Sequence, residues 1–216
     1  MRTYIGPIGY NPTSATRPIL SHGLDHGDSV TLIRPKKESD THRAEQTIGD
    51  IERNLGALEP EVSMSVERIP HNDFATAVVC CQKIILRQSG RRILILGGGA
   101  RDILIPLTIA GIAILDSIDE VLSYSDVDGR VREIQLPNLT ASIPEAAEST
   151  LDAIEAIEHA SLPKITEQVE HSKSTVTRHV SLLDQEDVVE TWREGRTKFV
   201  RLTATGSLLQ HDTNDV

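Results

Sequence analysis

Ile93-Leu94-Ile95-Leu96-Gly97-Gly98-Gly99-Ala100-Arg101-Asp102 is the stretch on which the fold turns. Its first four residues are apolar without alternation, the pattern of a strand buried on both faces of a parallel sheet. Three glycines then let backbone N–H groups come close to an anion, and a helix spanning residues 100–114 would add its positive N-terminal dipole. Arg101 can close a salt bridge to a phosphate. A tight strand-to-helix turn with Arg101 paired to Asp102 accounts for the same letters. Three glycines at a strand's carboxyl end favour the ligand, and make Gly97, Gly98, Gly99, Ala100 and Arg101 its candidate contacts.

Outward from this stretch, short apolar runs alternate with longer helical patterns. Residues 3–8, 29–33, 62–69, 93–96, 120–125 and 131–136 read as strands, and residues 13–24, 40–58, 72–88 and 100–114 as helices. Ile48, Ile51 and Leu55 fall on one helical face, and Asn72 is a candidate N-cap. The alternation predicts a Rossmann-like, doubly wound α/β domain over residues 1–140. Ligands of such folds sit at the carboxyl ends of the strands near a topological switch point. A second loop, Gly9-Tyr10-Asn11-Pro12-Thr13, leaves the first strand at that end and contributes Gly9, Tyr10, Asn11 and Thr13 as candidates.

The pattern changes near Pro144, so residues 141–216 form a linker helix and a second domain. Residues 145–159 read as an acidic helix with Leu151, Ile154 and Ile157 on one face. A short helix with Pro163 in its first position follows, then a turn at Glu170-His171 and a helix capped by Ser172 with Val176, Val180 and Leu183 buried. Residues 188–193 and 197–202 read as strands joined through Glu194-Gly195. A closing helix (203–210) and a frayed tail (211–216) complete the chain. Two short helices and a hairpin make a winged helix-turn-helix, whose second helix enters the DNA major groove. Its outward residues are Lys173, Ser174, Thr175, Thr177, Arg178 and Ser181, with Arg193, Arg196 and Lys198 on the hairpin as candidate phosphate contacts. A solvated helix with an ordinary charged hairpin is the alternative.

The 216 residues carry 22 basic and 32 acidic side chains, a net charge of −10. That balance excludes a protein that coats nucleic acid indiscriminately, since non-specific affinity comes from Lys and Arg. Lysine occurs six times against sixteen arginines, a composition suited to a salt-rich cytosol and equally to an ordinary acidic protein. No run approaches a membrane span and no signal-peptide core opens the chain, so a cytoplasmic protein is expected. Cys80-Cys81 excludes a disulfide scaffold. No P-loop, G-x-G-x-x-G, H-E-x-x-H or G-x-S-x-G occurs. His22 and His26, beside Asp25, are the one histidine pair at ligand-like spacing, and no metal or cofactor is expected.

The run Ser174-Thr175-Val176-Thr177-Arg178-His179-Val180 with Leu182-Leu183 resembles winged helices of the MarR and ArsR type. Ile8-Gly9-Tyr10-Asn11, Ile95-Leu96-Gly97-Gly98-Gly99-Ala100-Arg101 and a following winged helix together resemble the archaeal CRISPR-associated transcriptional regulators of the CARF–winged-helix type. The resemblance implies a homodimer that holds a cyclic oligoadenylate, usually cyclic tetra-adenylate, across its two-fold axis and binds double-stranded promoter DNA. It matches Gly9, Tyr10, Asn11 and Thr13 to one ligand loop and Gly98, Gly99 and Arg101 to the other. Ile95 and Gly97 stand where many relatives carry Asn and Ser or Thr. Loss of that hydroxyl argues against ring-nuclease chemistry, so no catalytic residue is assigned. A nucleotide-processing enzyme using Tyr10, Asn11, Thr13 or Arg101, and a regulator of an unrelated anionic metabolite, are the competing readings.

Overall fold

The computed structural model describes residues 1–37 and 40–214, and it divides the chain into two compact units, the first Met1–Leu136 and the second from Pro137 onward. In the first unit the order is β1 (Arg2–Pro7), α1 (Thr13–His22), β2 (Ser29–Pro35), α2 (Thr41–Gly56), β3 (Ser63–Ile69) and α3 (Phe74–Arg87). It continues with β4 (Arg91–Leu96), α4 (Arg101–Ala113), β5 (Glu120–Tyr124) and β6 (Val131–Glu133).

One sheet holds all six strands in the order β3-β2-β1-β4-β5-β6, parallel except for β6. The chain winds outward from β1 through β2 to β3, then returns to the middle and winds the other way. β1 and β4 therefore flank the switch point, where crossover loops part and leave a crevice. The apolar run of β4 serves both faces. Leu94 and Leu96 pack with Ala77, Cys81 and Ile85 of α3 and with Ile103 and Leu107 of α4. Ile93 and Ile95 pack on the other face with Ala15 and Ile19 of α1 and with Ile51 and Leu55 of α2. Burial pushes the Cys81 thiol up to about 12, as befits an inert core residue.

At the amino ends of the strands, away from the crevice, polar groups tie the sheet together. Arg2 bonds buried Asp28 through its backbone N–H at 2.7 Å and its guanidinium at 2.9 Å. The Tyr4 hydroxyl meets His22 Nδ1 at 2.8 Å, and His22 Nε2 meets Glu120 at 2.6 Å. His26 instead faces Glu61 at 3.4 Å, so the two histidines do not converge.

The second unit opens with a short turn of 3-10 helix (Glu145–Ala147) and continues with α5 (Glu148–Ala156), α6 (Leu162–Gln168), α7 (Lys173–Gln185), β7 (Val189–Glu194), β8 (Thr197–Leu202) and α8 (Ala204–Asn214). Leu151, Ile154, Ile165, Val176, Val180, Leu183, Val188 and Val200 form its core. Ser172 caps α7 by accepting from the Thr175 N–H. Antiparallel β7 and β8 are extended by a bridge between Ser161 and Phe199.

Several local expectations are corrected. The expected helix at residues 145–159 is shorter, because its first turn tightens to 3-10 geometry and Ile157 is already extended. Helix α3 is capped by Asp73, not Asn72: Asp73 lies three residues before the Thr76 N–H that it accepts at 3.0 Å. The hairpin loop is Gly195-Arg196, since Glu194 and Thr197 still pair and Gly195 takes the positive φ such loops demand. Helix α6 begins at Leu162, one residue ahead of Pro163. β6 stops at Glu133, and α8 runs on to Asn214. Asp215 and Val216, the end of the expected tail, lie outside the described residues.

Candidate functional site

The crevice holds a cavity of about 460 Å³, lined by loops from the carboxyl ends of β1, β2, β3, β4 and β5. Of the sequence candidates, Gly9, Tyr10, Asn11, Gly98, Gly99 and Ala100 line it. The structure thus brings together two glycine-bearing loops almost 90 residues apart in sequence. Two of the three glycines of the turn after β4 are forced. Gly98 has φ +67° and a Cβ there would overlap the Ser14 hydroxyl. Gly99 has φ +75° and a Cβ there would stand 2.6 Å from Pro7. Only glycine satisfies both the left-handed backbone and the close approach. The facing loop is locked by its own side chains. Asn11 Oδ1 accepts from the Thr13 N–H at 3.0 Å, and Ser14 Oγ donates to the Asn11 carbonyl at 3.0 Å.

Three candidates are outside the lining. Gly97 is buried where β4 ends against Tyr124. Thr13 starts α1, and its backbone N–H is held by the Asn11 side chain. Arg101 is exposed on the first turn of α4, on the same helical face as Ile105 and Ile109, which are 51% and 42% exposed. The Arg101–Asp102 pairing offered as its alternative role is not among the ion pairs of the described residues.

The lining also includes residues that motif reading missed: Ser14, Arg34, Lys37, Arg43, His71, Asp102 and Asp126. Arg34 and Lys37 leave the end of β2, and Arg34 is buried. Arg43 is in the first turn of α2, where its N–H is fixed at 3.0 Å by the Asp40 cap. Its guanidinium lies 4.9 Å from the centre of the Tyr10 ring, a cation–π distance. His71 follows β3 after Pro70. Its Nδ1 is sealed from solvent and has no hydrogen-bond partner among the described residues, a condition that costs about 1–3 kcal/mol. The signal that could have found this wall is the basic run Arg34-Pro35-Lys36-Lys37 at the carboxyl end of a predicted strand. Charge is divided across the cavity: Arg34, Lys37 and Arg43 stand toward β2, Asp102 and Asp126 toward β4 and β5.

In the second unit, Lys173, Ser174, Thr177 and Arg178 are exposed on α7, and Thr175 and Ser181 are half-buried. Several hydroxyls already have partners. Thr177 donates to the Lys173 carbonyl at 2.8 Å and Ser181 to the Thr177 carbonyl at 3.0 Å, while Ser174 and Thr175 share the Ser172 hydroxyl. Arg193 and Arg196 are exposed at the hairpin, and Lys198 is half-buried. Arg201 is paired with Glu190 and lies over Trp192, which stacks on Phe199 at 5.6 Å. Sequence reading also missed His179, buried on the inner face of α7, with Nδ1 2.8 Å from the Thr150 hydroxyl of α5.

Comparison with known proteins follows from this geometry. No curated protein sequence matches the chain. Among solved structures, Csm6 from Enterococcus italicus, bound to cyclic hexa-2′-fluoro-hexa-dAMP, is similar with a TM-score of 0.53 at 14% identity, over 86% of this chain and 55% of that one. That likeness is one of fold. The PcaV transcriptional regulator from Streptomyces coelicolor, in complex with its natural ligand, is 24% identical over 32% of this chain and 50% of its own, with a TM-score of 0.30. HlyU from Vibrio cholerae is 22% identical over 35% of this chain and 86% of its own, with a TM-score of 0.28. The matches thus span about half the length of PcaV and of Csm6. Residues 2–134, more than half of the chain, match the Csa3 CRISPR-associated Rossmann-like domain. The chain belongs to that family, and its doubly wound first unit is the family's CARF domain.

Proposed function

We propose that this protein is a ligand-responsive DNA-binding regulator of CRISPR genes, which holds a cyclic oligoadenylate, with cyclic tetra-adenylate the first candidate, in the crevice of its CARF domain. The observation that carries this reading is the cavity at the switch point. On a chain of this family, the two glycine-bearing loops meet there over a cationic floor. Backbone N–H groups at positive-φ glycines, with Arg34 and Lys37 nearby, suit a phosphodiester. The family match and the Csm6 fold favour an oligoadenylate over an unrelated anionic metabolite.

The second unit serves as a winged helix in this reading. Its order of α6, α7 and hairpin, with the polar face of α7 outward and two arginines at the hairpin, supports double-stranded DNA as the partner. Two copies pair through α4, whose face carries Ile105 and Ile109. Arg101 on that face then stands at the interface and completes the ligand site from there. This accounts for its position outside its own chain's cavity. The protein senses the ligand without efficient cleavage, and differential affinity for two arrangements of the dimer sets the response.

Thermal denaturation with and without cyclic tetra-adenylate tests the reading. At about 100 times its dissociation constant the ligand stabilises the folded state by about 2.7 kcal/mol, a clear rise in Tm. The rise is smaller in Arg101→Ala, and the ligand is recovered intact. No rise at any salt concentration would refute the ligand, and rapid loss of the cyclic form would replace the sensor with a ring nuclease.

A further inference from the structure

Two neighbouring hydroxyls of α5 each meet a histidine of the segment read as facing DNA. Ser149 Oγ lies 3.2 Å from Nε2 of His171, in the turn before α7, and Thr150 Oγ1 lies 2.8 Å from Nδ1 of His179, within α7. The two imidazoles meet edge to face, with centroids 5.3 Å apart. We propose that these four residues form a clamp that positions α7 on α5, and that a proton taken up by His179 opens it. The proposal rests on the reading of α7 as a recognition helix and adds a positioning pair and a proton to its control.

Apolar contacts alone leave the rotation of α7 loosely set. Val176, Val180 and Leu183 share one core with Leu151 and Ile154 of α5, but burial of apolar surface is non-directional. A hydrogen bond is directional, and the Thr150–His179 bond lies inside that core, where both residues are buried. Arg178 is the next residue along the helix. A rotation of α7 that breaks the Thr150 bond therefore also re-aims Arg178.

A positive charge on His179 has no counter-charge to meet it. Burial opposes that charge first, then His171 from the preceding turn and Arg178 from its own helix. α5 offers the neutral Thr150 hydroxyl, while its carboxylates Glu148, Asp152 and Glu155 are exposed. Glu145 of the 3-10 turn and Lys164 and Glu167 of α6 are exposed as well, and Glu190 of β7 is taken by Arg201. The histidine–carboxylate pairs among the described residues are those of His22 and His26.

The closed clamp therefore holds a neutral His179, and an opened one lets the ring take up a proton. DNA that requires α7 in its closed position binds the neutral form. Affinity is fully present above the ordinary histidine range and falls as the pH drops below about 6.5, by at most about tenfold per pH unit for one proton.

A DNA duplex selected by wild type from a random-sequence library is titrated with wild type, His179→Gln, Thr150→Val and Thr150→Ser from pH 8 to pH 5.5, with thermal denaturation to verify folding. Exposed histidines act on DNA contact in all four proteins alike, so differences between them report the clamp. Below about pH 6.5 wild type loses affinity relative to His179→Gln, by up to about tenfold per pH unit. At pH 8 Thr150→Val binds about three- to tenfold more weakly, the worth of one hydrogen bond, and Thr150→Ser restores the affinity. A merely structural role would lower Tm in Thr150→Val and leave the affinity of the folded protein and its pH profile unmoved. Folded His179→Gln with the wild-type profile, or folded Thr150→Val with wild-type affinity, overturns the clamp and leaves the DNA reading standing; either variant carries the test if the other does not fold. If wild type selects no duplex, the DNA reading and the clamp's role in it fall together.

Discussion

At the scale of single residues, position in the fold decides which polar groups are spent and which are available. Ser14 and Asn11 are polar residues of the pocket loop, yet much of their hydrogen bonding goes into holding the loop's shape. His179 shows the same economy in the second unit. It lies on the helix expected to face DNA, but its ring is buried against Thr150, edge-on to His171 at a centroid distance of 5.3 Å. Burial, then the neighbouring His171, then Arg178 hold its pKa below the ordinary value. The sign of the consequence follows from linkage. Once the pH falls below about 6.5, the unfolded chain takes up this proton more readily than the folded one, so stability falls. The loss stops once the folded-state group also titrates. Thermal denaturation between pH 8 and pH 5 therefore shows a falling Tm below about pH 6.5, at most about 1.4 kcal/mol per pH unit from this one proton. His179→Gln, which retains hydrogen-bonding capacity without titrating, flattens that part of the profile. An unchanged profile in the variant would assign the acid sensitivity to other groups.

At the scale of elements, α7 divides its residues cleanly between core and surface. Val176, Val180 and Leu183 are fully buried, and Lys173, Ser174, Thr177 and Arg178 are exposed. If α7 is a recognition helix as proposed, then since Thr177 and Ser181 bond the helix's own carbonyls, Arg178 is the side chain best placed to read a base. Arg178→Ala should cost about 1–3 kcal/mol and relax discrimination at one operator position, whereas Lys173→Ala should weaken all sequences alike and lower the salt slope by about one. Binding to a panel of single-base operator variants separates the two, and a uniform loss in Arg178→Ala would assign that residue to phosphate. The polarity of this helix was legible from the three- and four-residue spacing of its apolar positions, and the two-sided strand β4 from an apolar run without alternation. The hairpin turn was misplaced by one residue because it is set by the positive φ of Gly195, and the start of α5 by three because the first turn there takes 3-10 geometry. The second wall of the pocket was legible only through the basic run Arg34-Pro35-Lys36-Lys37 at the end of a predicted strand. Arg34 at the end of β2, Arg43 in the first turn of α2 and His71 after β3 have no fixed spacing, and only the parallel winding of β1, β2 and β3 brings them to one end of the sheet.

At the scale of the whole molecule, salt should act in opposite directions on the proposed pairing and on the proposed DNA binding. Each chain carries a net charge of −10, so two copies repel unless salt screens them. The Debye length falls from about 10 Å at 0.1 M salt to about 3 Å at 1 M, while burial of the half-exposed Ile105 and Ile109 of α4 in the proposed interface is not screened and would contribute about 1 kcal/mol per side chain. Association of the chain should therefore strengthen as salt rises. The proposed contact with DNA should weaken over the same range, because in that reading it depends on counterion release by Lys173, Arg178, Arg193 and Arg196. Light scattering and DNA titration from 0.1 to 1 M salt check both trends on one preparation. Ile109→Glu places an unpaired carboxylate in the proposed interface and should yield monomers at micromolar concentration. One recognition helix reaches only a few base pairs, so the monomer should also lose most of its affinity for a two-fold operator. If Ile109→Glu remains dimeric with full DNA affinity, the chains pair through another face, and Arg101 must be sought there.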